Sequence, residues 1–286
     1  MRPAGIYKDV PNEEYHSEEG ISNSRMGYIL DCGARYKYEK ERKKTDEEMK
    51  KFIIGQVVHT LILEPELFEE TFVIGSKPHG NSKEAKEAKG EGRSTLIAED
   101  GRTIITPKEY DDCHKMAIEG SSNSVWTKVK MSDGNIENSI YWDIDCVDMN
   151  FTVYPTRLRS RPDFFNNKII IDVKTTESIK RFQQSVEYFG YYRQAAMQID
   201  ALRTIDNKER KFFFLAIEKK PPYLTKCFDI EDHYIELGRP EYKKAALIYA
   251  KCLKNNEWPG YDETNAPIET IRVPKYRNKE EHCEYE

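Results

Sequence analysis

The amino-acid sequence predicts an α/β (α+β) fold in which a mixed central β-sheet is flanked by helices, with further helices decorating its N-terminal part. Three observations predict this class. Apolar residues recur at helical spacing between residues 20 and 65. Four β-rich segments lie between residues 138 and 175, and helical and strand patterns alternate after them. Helices on both sides of a group of strands favour a sheet that is covered by helices.

The composition supports a folded chain with one domain. Of the 286 residues, 38% are hydrophobic and 12% are aromatic, which excludes a chain that is disordered throughout. No internal repeat or linker divides the sequence, so we expect a single domain over residues 1–286. Within it we expect a helical part over about residues 1–130, a sheet core over about 136–230, and a C-terminal helix and tail over about 231–286.

The cysteines and the apolar segments indicate the compartment. The six cysteines show no Cys-x-x-Cys spacing, which predicts reduced thiols and disfavours an iron–sulfur cluster. No apolar run has the length of a signal-peptide core or of a membrane span. We therefore expect a cytoplasmic protein without a membrane partner. The cysteines are Cys32, Cys113, Cys146, Cys227, Cys252 and Cys283.

The N-terminal part predicts two helices separated by charged residues. Ser22, Asn23 and Ser24 are capping residues ahead of apolar positions, so a helix is expected to begin there and to end near residue 31. The mixed-charge run 35–51 predicts a solvated helix face or loop with no chemistry. Residues 52–65 follow with apolar residues at helical spacing, which predicts a buried helix. These apolar positions are Ile54, Val57, Val58, Leu61 and Ile62, and Pro65 ends the run.

The buried helix also carries a polar pair. Gly55 and His59 are four positions apart, so they share one helix face. Taken alone, His59 fits a satisfied core histidine better than it fits a ligand. Residues 76–102 are polar and small, and predict an exposed, mobile excursion from the domain. After it, Thr106 as N-cap and proline at the next position predict a helix to about Glu119.

The second half of the chain predicts strands and then alternating elements. Asn166 and Asn167 are a turn signal between the last two β-rich segments, which we therefore expect to pair as an antiparallel hairpin. The β-rich segments are residues 139–142, 151–154, 158–165 and 168–175. The elements predicted after them are a helix over about 183–201, strands over 212–217 and about 223–228, and a helix over about 240–255.

The predicted hairpin would bring three charged residues together. Asp172 and Lys174 are two positions apart on a strand, so both side chains point to the same face, where Asp163 can meet them from the other arm. Two such carboxylates make an oxygen-ligand site for Mg²⁺ or Mn²⁺, and a lysine beside it can orient the attacking water or offset developing negative charge. Acid-x-base triplets arise about eight times by chance in this composition, so the motif alone is weak. A salt-bridged strand end is the alternative.

These residues resemble a known family. Arg161, Pro162 and Asp163, followed by Asp172 and Lys174, resemble the Pro-Asp…(Asp/Glu)-x-Lys core of restriction-endonuclease-like nucleases, the PD-(D/E)XK superfamily. More specifically, the chain resembles the RecE-like (exodeoxyribonuclease VIII) exonucleases of phages and prophages, which are RecB-like. The similarity extends over most of the chain and includes residues 15–24, 55–59, 101–107, 137–142, 192–196, 216–223 and 258–261.

The resemblance implies a restriction-endonuclease-like core and roles for individual residues. It implies that Asp163 and Asp172 are metal ligands, aided by the backbone carbonyl of Val173, and that Lys174 is the catalytic lysine. It places His59 at the metal. It also gives Glu137 a part in binding or organising a metal. The implied cofactor is Mg²⁺, for which Mn²⁺ substitutes.

The helix after the hairpin is expected to face DNA. RecB-like nucleases carry Gln-x-x-x-Tyr on this helix; Gln194 matches its first position, and Gln198 stands where the tyrosine is usual. Gln194 and Gln198 share a helix face and are expected to contact a phosphate or to support Lys174. We also expect Tyr192, Arg193 and Arg161 to bind DNA. For the tyrosines of this helix, Tyr188, Tyr191 and Tyr192, amphipathic packing is an equal alternative.

The charge distribution suits a backbone-binding protein. The chain carries a net charge of −5, but residues 157–220 contain 14 Lys and Arg against 8 Asp and Glu, so this segment carries +6 and the remainder −11. A basic catalytic segment in an acidic protein favours binding to the phosphate backbone without sequence readout. We expect this binding to depend on residues 157–220 and not on the charge run 35–51.

The function predicted from these features is a Mg²⁺-dependent DNA exonuclease that resects one strand of double-stranded DNA ends. The resemblance implies 5′→3′ polarity, a ring-shaped homo-oligomer that is a tetramer in that family, and a single-strand annealing partner of the RecT/Bet type in phage-type recombination. It also implies a phage- or prophage-encoded protein in the bacterial host cytoplasm. Two alternatives remain open. One is a non-catalytic protein that binds DNA ends as a scaffold, and the other is a RecB/Cas4-like nuclease that acts on flaps or single strands.

Overall fold

A computed structural model describes residues 2–78 and 94–261, together with residues 82–83, 86, 90, 268 and 270–272. The strands are β1 (Gly5–Tyr7), β2 (Phe72–Ile74), β3 (Thr103–Ile105), β4 (Asn135–Ile136), β5 (Ser139–Val147), β6 (Val153–Ser160), β7 (Phe164–Phe165), β8 (Ile169–Thr176), β9 (Lys211–Glu218) and β10 (Thr225–Asp229). The helices are α1 (Asn12–Ser17), α2 (Asn23–Asp31), α3 (Gly33–Glu41), α4 (Asp46–Leu63), α5 (Phe68–Thr71), α6 (Pro107–Ser121), α7 (Ser124–Lys130), α8 (Phe182–Tyr188), α9 (Tyr191–Asp206) and α10 (Asp232–Asn255).

The strands form one mixed sheet and two smaller ones. The five-stranded sheet has the order β10-β9-β8-β7-β4, in which β8 and β9 are parallel and the other pairs antiparallel. The order β1-β5-β6 makes an antiparallel three-stranded sheet, and β2 pairs with β3 in parallel. The predicted fold class, a mixed sheet flanked by helices, is confirmed.

Side chains on the two faces of the five-stranded sheet alternate between two hydrophobic cores. Ile170 of β8 packs into a core with α9 and α10, while Ile171 and Val173 pack into a second core with α4 and α6. Asp172 and Lys174 occupy the positions between, so they lie on the face that carries Ile170 and α9. The predicted placement of Asp172 and Lys174 on one face is therefore confirmed.

The prediction that residues 158–165 form a single hairpin arm is wrong. Residues 153–160 form β6, which pairs along its length with β5 in the three-stranded sheet, and only Phe164 and Phe165 pair with β8. The chain passes from one sheet to the other at Pro162, which has no N–H to give to a strand ladder. Asp163 therefore lies at the junction of the two sheets, one residue before β7.

The single helix predicted over 183–201 is divided into α8 and α9. Gly190 separates them with φ of 63°, a left-handed conformation that favours glycine. A Cβ atom built on Gly190 would lie 2.6 Å from Nη2 of Arg193, so a side chain at this position would displace that guanidinium group. The break turns α9 relative to α8 and sets which residues of α9 face the sheet.

Other predicted boundaries differ in ways that have clear causes. The last helix begins at Asp232 rather than near residue 240. Pro240, which was expected in its first turn, lies inside α10. Helix α4 begins at Asp46, inside the charged run, where Thr45 and Glu48 form a capping box. Helix α7 is formed after the N-cap Asn123 and was not predicted.

The segment 76–102, which was predicted to be an exposed excursion, is partly buried at its C-terminal end. Residues 79–81, 84–85, 87–89 and 91–93 lie outside the described residues, as do the predicted C-terminal tail beyond 272 and Cys283. Leu96 is buried in the second core, and Asp46 accepts hydrogen bonds from the side chains of Ser94 and Thr95. The end of this segment thus packs against α4. Among the described residues, none of the helices combines the length and apolar composition needed to span a bilayer.

The crossing of α9 and α10 gives a stability prediction. A Cβ atom at Gly238 would lie 2.7 Å from the carbonyl oxygen of Tyr192, which is backbone and cannot rotate away. We expect Gly238→Ala to lower the free energy of unfolding by about 1–3 kcal/mol through overpacking. Gly27 is also inside a helix but its Cβ would meet only Nη2 of Arg193 at 3.9 Å, so Gly27→Ala should raise stability by roughly 0.5–1 kcal/mol. Urea unfolding checks both, and equal shifts in the two variants would contradict the close approach.

Candidate metal centre and cleft

Three side chains from different elements converge where the two sheets meet. His59 lies on α4, Glu137 lies between β4 and β5, and Asp163 lies between β6 and β7. Nδ1 of His59 is 3.5 Å from Oδ2 of Asp163, and one ligand atom from each of the three residues lies within 4.8 Å of the others. These residues could hold a metal ion together. His59, which the resemblance places at the metal, is thus a member of this cluster.

The backbone around the cluster is fixed by hydrogen bonds. Oδ2 of Asp163 accepts from the N–H of Val173 at 2.6 Å. The N–H of Glu137 donates to the carbonyl oxygen of Asp163 at 3.2 Å, and Glu137 has φ of 50°, a conformation that few residues other than glycine adopt. Backbone outliers of this kind cluster at functional sites. That the carbonyl of Val173 also meets a metal stays a prediction.

Asp172 lies beside the cluster and is engaged by two neighbours. It is 1% exposed; its Oδ1 accepts from Nε2 of Gln194 at 2.6 Å, and its Oδ2 pairs with Nζ of Lys174. Gln194, expected to contact a phosphate or to support Lys174, thus holds the carboxylate that pairs with Lys174. Asp172 is not one of the three clustered side chains, so its part in metal binding stays a prediction.

The acidic groups are held in an environment that disfavours their charge. Burial, and then the charge of Asp172, raises the pKa of Asp163 to about 6, although His59 and Lys174 act in the opposite direction. Burial and the neighbouring Asp163 raise the pKa of Glu137 well above its usual value. Carboxylates forced together in this way need a counter-charge. Two carboxylates and an imidazole within reach of one point fit a divalent cation such as Mg²⁺ or Mn²⁺.

Lys174 is kept charged by the same group of acids. Burial works to lower its pKa, but Asp172 and then Asp163 outweigh burial and raise the pKa above its usual value. Its Nζ atom also lies 4.9 Å from the ring centroid of Tyr191. Lys174 is therefore a fixed ammonium group between the carboxylates and an aromatic ring.

Tyr192 and Arg193, which the sequence predicts to contact DNA, are hydrogen-bonded within the protein, and their contact with DNA stays a prediction. The hydroxyl of Tyr192 donates to Glu241, and Arg193 is 6% exposed, with Nη1 2.7 Å from Oε1 of Glu241 and Nε donating to Asn23. Both side chains tie α9 to α10 and α2, and neither lines the cleft described below. Because residues three or four apart share a helix face, Tyr191 is the neighbour that lies on the side of Gln194 and Gln198. Starting from Gln194, this spacing would have identified Tyr191.

The other two predicted DNA contacts, Arg161 and Gln198, line the cleft. The guanidinium of Arg161 donates to the carbonyl of Val10 at 2.8 Å and to Ser139, and lies 4.3 Å from the ring centroid of Tyr15. Gln198 is 1% exposed, and its Oε1 has no hydrogen-bond partner among the described residues. A contact between either residue and DNA stays a prediction.

Lys174, which lies beside the metal centre, lines a basic cleft of about 1700 Å³. Among the described residues that line it, Glu177 is the single acidic one, while eight are Lys or Arg. Seven of these lie in the predicted basic segment: Arg159, Arg161, Lys174, Lys180, Arg181, Lys219 and Lys220. The eighth is Lys51, which α4 carries to the cleft. It is the last residue of the charge run 35–51, for which the sequence predicts no part in binding.

Comparisons with known proteins identify a matching family and a similar fold. The family described as "PDDEXK-like domain of unknown function (DUF3799)" matches residues 22–270. The fold is similar to the crystal structure of a protein from Eubacterium rectale named as a candidate exonuclease, with a TM-score of 0.59 and 14% identity over 93% of this chain and 96% of that one. The structure of SSO0001 is 14% identical over 80% of each chain, with a TM-score of 0.32. No curated protein matches the chain.

The cluster predicts a measurable metal affinity. We expect Mn²⁺ to bind the protein in calorimetry, and expect Glu137→Gln and Asp163→Asn each to weaken binding at least about tenfold, because each removes a charged oxygen ligand. Asp145→Asn is the control, since Asp145 is an exposed residue of β5 outside the cluster. Equal Mn²⁺ affinity in all four proteins would show that the cluster is not the site.

Proposed function

The chain belongs to the family of PDDEXK-like domains of unknown function (DUF3799), and from this membership we propose that it is a Mg²⁺-dependent exonuclease that resects one strand at the ends of double-stranded DNA. One observation carries the proposal: Lys174 and Asp172 lie together on the sheet face, beside His59, Glu137 and Asp163, at a basic cleft. A nuclease needs metal ligands, a positioned cation and a path for a polyanion, and these groups supply all three.

Each side chain of the centre has a part in the proposed hydrolysis. A divalent ion held by Asp163, Glu137 and His59, with Asp172 beside it, would polarise the phosphodiester and acidify a bound water. Lys174 orients that water or offsets the negative charge that develops on the phosphate. The position of Lys174 depends on its pairing with Asp172, and that of Asp172 on the hydrogen bond from Gln194.

The cleft suits a substrate that is bound by its backbone. Lysine and arginine side chains along its walls can neutralise phosphates without reading bases. This supports cleavage without sequence preference, as in the degradation of a strand from its end. The structural neighbour named as a candidate exonuclease is in keeping with this proposal, although its likeness concerns the fold alone.

The finer features of the proposal are supported by the resemblance to RecE-like exonucleases. They are 5′→3′ polarity, processive action by a ring-shaped homo-oligomer, a tetramer by that resemblance, and a partnership with a single-strand annealing protein of the RecT/Bet type. They also include a phage or prophage origin, action in the bacterial host cytoplasm, and a single nuclease domain over residues 1–286.

A nuclease that acts on flaps or single strands is the second candidate. The observation that favours it is the exposure of aromatic side chains at the cleft, where Tyr188 and Phe189 are both solvent-accessible. Exposed rings stack on unpaired bases more readily than on a duplex. Both candidates use the same metal centre.

The catalytic proposal is tested with end-labelled linear duplex. We expect digestion that requires Mg²⁺ or Mn²⁺, and expect Asp172→Asn and Lys174→Gln each to slow it at least about a hundredfold. Lys174→Gln removes the cation proposed to act at the reacting phosphate, and Asp172→Asn removes the carboxylate that positions this cation. Lys168→Gln is the matched control: it is exposed at the turn before β8 and does not line the cleft. Circular dichroism verifies folding. If wild type bound duplex ends without turnover in any divalent ion, the non-catalytic scaffold would replace the nuclease.

The path of the backbone is tested by the salt dependence of binding without divalent ions. For duplex DNA, the slope of log K against log salt falls by about 0.9 for each phosphate that the protein no longer neutralises. We expect Lys180→Ala/Arg181→Ala to reduce the slope by about 1.8 and Lys51→Ala by about 0.9. Lys37→Ala should leave it unchanged, since Lys37 lies on α3 away from the cleft. A change of equal size at Lys37 would mean that the bound backbone is not confined to the cleft.

A further inference from the structure

We propose that Tyr188 and Phe189, backed by Tyr191, form a stacking platform for unpaired bases of the strand that reaches Lys174. The proposal rests on the function proposed above and specifies its substrate: a strand whose terminal nucleotides are single when they enter the cleft. None of the three rings is part of the metal centre.

The first observation is the exposure of two large rings at the cleft. The side chain of Tyr188 is 84% exposed and that of Phe189 is 54% exposed, and both line the cleft. Aromatic side chains bury large areas when they pack in a core, so leaving two adjacent rings in water forgoes considerable stabilisation. A ligand with flat apolar faces would recover it.

The second observation is that the rings form a continuous path to the catalytic lysine. Tyr188 and Phe189 have ring centroids 4.9 Å apart, and Phe189 and Tyr191 are stacked with centroids 5.5 Å apart and an interplanar angle of 25°. Tyr191 in turn lies 4.9 Å from Nζ of Lys174. A base stacked on these rings therefore lies close to Lys174, the group proposed to act on the phosphate.

The third observation is that the segment bearing the rings is held in place. The N–H groups of Phe189 and Gly190 donate to the carbonyl oxygens of Ser185 and Glu187, at 3.0 and 3.2 Å. Gly190 makes the turn between α8 and α9 in a left-handed conformation, and a Cβ atom there would meet the guanidinium group of Arg193. Arg193 is itself held by Glu241 and Asn23. The rings are thus presented by a fixed turn, which lowers the entropy lost when a ligand stacks.

The surroundings of the rings identify the ligand. Lys180 and Arg181 precede α8, and Lys219 and Lys220 line the same cleft, in which Glu177 is the single acidic residue among those described. Aromatic faces next to cationic side chains match a polymer with flat bases and an anionic backbone, the combination used by proteins that bind single strands. The interior bases of a duplex are already stacked on both faces, so the rings favour unpaired bases, which have both faces free.

The test is stacking in the absence of cleavage. A duplex with a four-nucleotide single-stranded overhang, carrying 2-aminopurine in the overhang, is titrated with protein in EDTA, and the fluorescence of 2-aminopurine falls when the base stacks. We expect quenching by wild type, and expect Tyr188→Leu/Phe189→Leu to weaken overhang binding about tenfold or more and to abolish the quenching. Binding of a blunt duplex should change less than twofold. Tyr188→Trp/Phe189→Trp should restore both signals, because it restores flat faces.

The matched control is Phe151→Leu. Phe151 is 88% exposed on the turn between β5 and β6 and does not line the cleft, so its replacement should leave overhang binding unchanged. Unquenched fluorescence with wild type, or quenching that survives Tyr188→Leu/Phe189→Leu, would overturn the platform. If Tyr188→Leu/Phe189→Leu changed the oligomeric mass and left the quenching unchanged, the rings would instead form an interface between copies of the chain. Quenching without any Mg²⁺-dependent cleavage would leave the platform standing and would remove the proposed nuclease.

Discussion

The pairing of Asp172 with Lys174 inside the molecule is the interaction on which the arrangement of the centre depends. Removing two opposite charges from water costs several kcal/mol per ion unless they pair well and satisfy their remaining hydrogen bonds. Here Asp172 uses its second oxygen to accept from Gln194, and Lys174 rests against the ring of Tyr191. These requirements fix the rotation of α9 over the sheet. The helix must present Tyr191 and Gln194 to β8, and it then presents Tyr192 and Arg193 to α10.

Two interruptions of regular structure make this arrangement possible. At Pro162 the chain leaves the three-stranded sheet and joins the five-stranded one, which brings Asp163 from the junction to within 3.5 Å of His59. At Gly190 a helix is broken, so that Tyr191 turns inward and Phe189 outward. In an uninterrupted strand or helix, successive side chains point in fixed directions. Neither element could then make both sets of contacts that it makes here. Each interruption is thus at a residue whose backbone permits it, proline in one case and glycine in the other.

These interruptions also explain which parts of the structure the sequence could predict. The spacing of Asp172 and Lys174 depends only on the two-residue period of a strand, and the capping residues of α6 act within one turn, so both were predicted correctly. The pairing of residues 153–160 with β5 depends on a partner outside that segment, and local patterns carry no information about it. The role of Arg193 likewise depends on Glu241, 48 residues away in the sequence. Local patterns identify the arginine but give no information about this distant acid.

The distribution of charge connects the metal centre to the cleft. Lysine and arginine side chains along the walls attract a phosphate backbone. The neighbouring carboxylates of Glu137, Asp163 and Asp172 repel the phosphate that the proposed nuclease would cut. A divalent cation reverses the sign of the field at that point, so on the proposed function cation and strand each favour the binding of the other. Linkage requires that this coupling be reciprocal: the strand must raise the affinity for the cation by the same factor. Without the cation, a backbone held only by the walls would be bound but not brought to Lys174. Binding and cleavage are therefore separate steps within one cleft.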